Sequence, residues 1–142
     1  MEIKFDDHQE WHGKYNGIPF EIVKWKRDGD TTGYHWNFYL FVKPRKLKTA
    51  KGFREGTRRV DYSKMYDDVE MHGGITYWSR HRSSSMAEAD KIGCDYAHSW
   101  DMDEACRRFL ERNVEMVMDD VKKSIDVLPK DLFHESPDLL KP

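Results

Sequence analysis

Along this chain the spacing of apolar residues changes from two to three or four, and the change separates a sheet-forming part from a helical part. Two early runs, "GIPFEIVKWK" (Gly17 to Lys26) and "YHWNFYLFV" (Tyr34 to Val42), are rich in aromatic and β-branched residues. Between them lies "RDGDTTG", dense in turn formers, so the pair reads as a hairpin with a longer loop. In the second run Tyr34, Trp36, Phe38 and Leu40 share one face and His35, Asn37, Tyr39 and Phe41 the other. The first face reads as core and the second as partly solvated. Further on, "DDVEMHGGITYWS" alternates on both sides of Gly73-Gly74, which predicts a tight hairpin turn between two strands. "RHRSSSMAEAD" reads as a loop, and "KIGCDYA" as a short strand whose Gly93 permits close backbone approach.

From Asp101 onward the period lengthens. Ala105, Phe109 or Leu110, Val114, Val117, Val121, Ile125 and Leu128 fall on one face of an amphipathic helix that Pro129 ends. The first dozen residues are polar and are expected to be only partly ordered, and the tail "KDLFHESPDLLKP" either docks or hangs free. The expected architecture is α+β, an antiparallel sheet of about four to six strands packed against one long C-terminal helix. Residues 1–128 would form a single domain and residues 129–142 a Pro-containing tail.

Composition adds a class and a compartment. Hydrophobic residues make up 38% of the 142 and charged residues 35%, but aromatics reach 13%, and large rings bury enough area each for a compact core. The opening "MEIKFDDHQEW" has no apolar stretch of signal-peptide length, and no run is long enough to span a bilayer. Cys94 and Cys106 form neither a disulfide framework nor a CxxC pair, so a cytoplasmic setting is expected. Charge is unevenly spread. Residues 43–59, "KPRKLKTAKGFREGTRR", carry eight Lys or Arg against one Glu, a local +7 within a net −2. They read as a mobile basic loop. This asymmetry argues against general nucleic-acid coating and for one localised anion site.

Two clusters carry candidate chemistry. Asp95, His98 and Asp101 stand three residues apart in "GCDYAHSWD", and His72 joins them if the Gly-Gly turn lies beside that segment. Two imidazoles with one or two carboxylates suit zinc or another divalent ion, with a position left open for water. Asp101 has a competing role: with Glu104 three residues on, it resembles a capping box at the start of the helix. His72 has one as a plain turn residue, and Asp95 with His98 as a buried hydrogen-bonded pair. That leaves His72, Asp95 and His98 as the candidate metal or catalytic set. The second cluster is basic. Arg45, Lys46, Arg58, Arg59, Arg80 and Arg82 flank the Gly73-Gly74 turn, where Arg forks and glycine amides suit phosphate. Trp36, Tyr77, Trp78 and Tyr96 are rings on which a base can stack. His72, Gly73, Gly74 and Thr76 would complete such a ligand site. Cys94 in a short apolar strand reads as packing rather than nucleophile, and neither a Walker nor a Rossmann glycine motif is present.

In order, "YNGIPFEIV", "YDDVEMHGGITYWS", "IGCDYAHSWD" and a long terminal helix resemble a family of small uncharacterised bacteriophage and prophage proteins. The resemblance runs from about Tyr15 to Asp101 and rests on Asn16, Gly17, Asp67, His72, Gly73, Gly74, Thr76, Asp95, His98 and Asp101. This chain departs from the family at "WNFYLFVKPRKLK", at Cys94 and at Tyr96. What the resemblance implies is a phage-type accessory protein acting in the host cytoplasm, without a particular chemistry. The expected function is binding of an anionic small molecule, such as sequestration of a nucleotide signal of host defence, because the metal ligand set is incomplete if Asp101 serves as a cap. The alternatives are metal-dependent hydrolysis of a phosphoester through His72, Asp95 and His98, and inhibition of a host protein by direct contact. A homo-oligomer is left open.

Overall fold

A computed structural model describes residues 5–27, 29, 33–52, 54–83, 86–98, 101–103 and 108–134. Five strands form one antiparallel sheet: β1 (Phe5–Tyr15), β2 (Ile18–Arg27), β3 (His35–Val42), β6 (Tyr77–Ser83) and β7 (Met86–Asp95). They lie in the order β1-β2-β3-β7-β6. Two further strands, β4 (Thr49–Lys51) and β5 (Arg58–Val60), pair with each other, as do β8 (Met102–Asp103) and β9 (Arg108–Phe109). Helix α1 (Tyr62–Met65) is a single turn, and α2 (Val114–Asp126) is the C-terminal helix that contacts the sheet. The fold is α+β, as the apolar pattern predicts.

The alternation along β3 places Trp36, Phe38, Leu40 and Val42 inside. Their cross-strand neighbours supply the same face, with Phe20 opposite Leu40, Ile22 opposite Phe38, and Ile92 and Cys94 on β7. Val117, Val121 and Ile125 of α2 close over this face with Leu128 beyond the helix end. Each such side chain contributes roughly 1.5–3 kcal/mol by leaving water.

Five expectations need correction. The polar opening is the edge strand β1, because Asn16 and Gly17 both take positive φ (48° and 83°) and turn the chain in two residues, pairing Tyr15 with Ile18. Gly73 and Gly74 also take positive φ (69° and 92°) and make a turn, with the Gly74 amide donating to Met71 O at 3.0 Å. That turn does not join two paired strands. Asp61 caps α1 by accepting from the Lys64 amide, and the chain reaches the turn from a helix, not from a strand. Of "RHRSSSMAEAD", expected as a loop, residues 80–83 and 86–90 are strand in the paired β6 and β7, and Ser84 and Ser85 lie outside the described residues. The basic segment holds the β4–β5 hairpin. Finally, α2 begins at Val114, with Asn113 as its cap through a bond from the Met116 amide, so Asp101 is not a helix cap.

The tail docks at its start. A 3-10 turn at Lys130–Leu132 buries Leu132, whose carbonyl accepts from the Lys43 amide at 2.8 Å. His134 lies just beyond, its Nε2 buried and without a hydrogen-bond partner among the described residues. Burial holds its pKa below the ordinary value, against a hydrogen bond from the imidazole to the Phe41 backbone that acts the other way. Since the folded-state pKa lies below the unfolded one, docking keeps its full stability above about pH 6.5 and loses it as pH falls through the folded value. Wild type should therefore lose stability between neutral and mildly acid pH, and His134→Gln should lose less, as urea melts across that range would read. Equal losses would remove His134 from the account.

Candidate metal centre

The loop from Met71 to Thr76 is pinned beside the end of β7, where the Thr76 amide donates to Gly93 O at 2.9 Å. Past β7, the Tyr96 amide bonds Trp36 O, and the Asp101 amide bonds His98 O at 2.9 Å. The two segments meet through rings. His72 stacks on Tyr96 with centroids 4.0 Å apart and planes at 19°, and meets His98 edge-on at 5.6 Å. A Cβ on Gly73 would stand 2.1 Å from Cε1 of His98, so the turn must carry glycine for that imidazole to sit where it does. Tyr96 is itself anchored, its hydroxyl donating to Asp120 on α2 at 2.6 Å.

Asp101 sits at the centre, 1% exposed. Its Oδ1 accepts from His72 Nε2 and from Arg112 Nη2, each at 2.7 Å. Its Oδ2 accepts from the His98 amide and from His98 Nδ1, each at 3.0 Å. Burial alone would raise its pKa, but these bonds and the neighbouring His72 together hold the carboxyl below the ordinary carboxylate value. An ionised carboxylate donates nothing, so protons sit on His72 Nε2 and His98 Nδ1 in this arrangement. One ligand atom each from His72, His98 and Asp101 lie within 4.8 Å of one another, a group that can hold a metal ion.

The set expected from spacing was His72, Asp95 and His98. The structure brings the two histidines together as expected but supplies Asp101 as the carboxylate. Asp95 Oδ1 accepts from the Ala97 amide and stands 4.0 Å from His98 Nδ1, too far for the buried hydrogen-bonded pair anticipated for them. Arg112, which follows β9 and precedes α2, is the member with no prior signal. It stands 4.6 Å above the Tyr96 ring as well as bonding Asp101.

The basic cluster does not converge in the same way. Arg80 forks onto buried Asp90, Nε to Oδ1 at 2.7 Å and Nη2 to Oδ2 at 3.1 Å. Arg45 bonds Asp68 and Asp131 and stacks near Tyr66. Arg58, Arg59 and Lys46 are exposed, and Arg82's side chain lies outside the described residues. Trp36 and Tyr96 are buried, and Trp78 donates its indole N–H to Asp90 at 3.0 Å, which leaves Tyr77, 40% exposed, as the open ring of the four. Buried Cys94 has its pKa pushed up by desolvation, which fits packing rather than nucleophilic chemistry. A cleft of about 180 Å³ opens beside His72, lined by Glu70, Met71, Asp120, Lys123 and Ser124. Among the described residues no helix is long and apolar enough to cross a membrane. Comparison with protein-family models, with curated proteins and with solved structures finds no match to this chain.

Proposed function

We propose that the protein is a metal-dependent hydrolase acting on a phosphoester, with zinc the expected ion. The observation that carries this reading is the convergence of His72, His98 and buried Asp101 within 4.8 Å. Two imidazoles and one carboxylate are the donor set of an open zinc site, and an ion held by His72, His98 and Asp101 would supply Lewis acidity and an activated water near neutral pH. The chain's own residues do the positioning. Tyr96 fixes the His72 ring, Gly73 makes room for His98, and Asp101 sets both orientations. The cleft beside His72 gives a small substrate a way in, with Lys123 and Ser124 as its polar grips. We place the activity in the cytoplasm.

The test is metal content and hydrolysis together. Protein purified without added ions and then loaded with zinc should retain about one ion per chain and cleave a nitrophenyl phosphodiester, and His72→Ala and His98→Ala should lose both. Stoichiometric zinc in neither wild type nor variants, or equal retention in all three, would overturn it.

Binding of an anionic small molecule without chemistry is the second reading, favoured by exposed Arg58 and Arg59 on the β4–β5 hairpin. It predicts a nucleotide-like molecule released on denaturation and a thermal shift with cyclic or ADP-ribose nucleotides. Neither result together with zinc-dependent hydrolysis would retire it.

A further inference from the structure

We infer that Arg112 is the anion-binding residue of this centre and that it is held in reserve by Asp101 until a metal ion arrives. The inference rests on the metal reading above. Asp101 has two oxygens, and both are fully used: Oδ1 by His72 and Arg112, Oδ2 by two donors of His98. The guanidinium is thus the resident cation of a buried carboxylate. A divalent ion drawn to the same carboxylate and to the two imidazoles competes with it directly. An ion held there would share the Asp101 charge and would set a like charge beside the guanidinium.

Its alternatives are limited by its surroundings. Arg112 is only 16% exposed and lies over the Tyr96 ring, so it stays at the site when the carboxylate turns to the ion. A planar guanidinium left partly desolvated beside a cation is best satisfied by a bidentate anion, and a phosphoryl group would offer oxygens to both. The substrate class is therefore a compact phosphoryl anion, and binding is ordered, ion first. Without the ion, the Nη2 donor of Arg112 and its charge are held by Asp101, and an incoming anion meets that buried carboxylate beside it.

Calorimetry separates the steps with zinc and with methylphosphonate, which has a phosphate's shape and charge but no ester to cleave. Wild type should bind methylphosphonate with zinc present and not without it. Arg112→Met and Arg112→Gln should bind zinc more tightly than wild type, by about tenfold, because a competing cation is gone. Both should then lose methylphosphonate affinity by about tenfold or more. The glutamine variant keeps a donor for Asp101 in case the methionine variant fails to fold. Zinc bound equally or more weakly by the variants overturns the inference, as does methylphosphonate bound by wild type without zinc or by the variants as well as by wild type. Wild type that binds no zinc overturns the metal reading itself, and the two failures are told apart by that first titration.

Discussion

Replacing Asp90 by Ala is expected to cost about 3–5 kcal/mol of folding stability, the range for stranding one partner of a buried ion pair. Asp90 is fully buried and takes four donors: the Tyr66 hydroxyl, the Trp78 indole N–H at 3.0 Å, and two arms of Arg80. Arg80 also donates to Arg45 O at 2.6 Å, and Arg45 bridges to Asp68 and to Asp131 in the docked tail. One carboxylate therefore links β6, β7, the segment after α1, the basic stretch and the C-terminal turn. Asp90→Asn, which keeps size and some acceptor capacity, should lose less. Urea denaturation at neutral pH measures both, and the midpoint should fall with the slope unchanged. A loss below about 1 kcal/mol for Asp90→Ala would mean the network is peripheral to folding.

The second large effect belongs to Asp101→Ala. Three side chains and one amide lose their acceptor at a residue 1% exposed, but His72, His98 and Arg112 are each partly exposed and recover some bonds to water. The expected cost is about 3 kcal/mol, the lower end of the buried-pair range. Since the folded carboxyl titrates below its ordinary value, its contribution is present above about pH 4 and is lost as pH falls through the folded pKa. Wild type and variant should thus differ at neutral pH and converge only in strong acid. Zinc should raise the melting temperature of wild type and leave Asp101→Ala unmoved. A variant as stable as wild type, or one that zinc still stabilises equally, would contradict the role given to Asp101.

Much of the sheet was legible because alternation is a strong signal over eight residues and weak over two. β3 has four buried positions in strict alternation, whereas Val69 and Met71 before the glycines are two positions that a turn packs inward equally well. Asn16-Gly17 carries a turn signal that the polar composition of the opening hides: both residues take positive φ and fold β1 back onto β2. Phe109 and Leu110 fit the helical period but precede the helix, and Ala105 lies outside the described residues. The chain there includes the short β8–β9 pair, which leaves Asn113 to begin α2.

The site was half legible for a related reason. His72 and His98 announced themselves as residue types, but choosing between Asp95 and Asp101 needed to know which carboxylate was buried. A spacing of three residues does not tell that, and the capping-box pattern at Asp101 pointed elsewhere. Arg112 left no trace, since its partner is eleven residues away in the sequence and no motif links the two. The +7 of the basic stretch was counted correctly, yet Arg45 is neutralised by Asp68 and Asp131, partners 23 and 86 residues distant. Charge counting does not reach that far.

The central claim is that His72, His98 and Asp101 hold one divalent ion, and side-chain nitrogen NMR of the histidines during a zinc titration tests it most directly. The chain has seven histidines. The account predicts that His72 and His98 shift together and saturate at about one equivalent of zinc, with Asp101→Ala abolishing the response. Shifts confined to other histidines, or none at all, would contradict it.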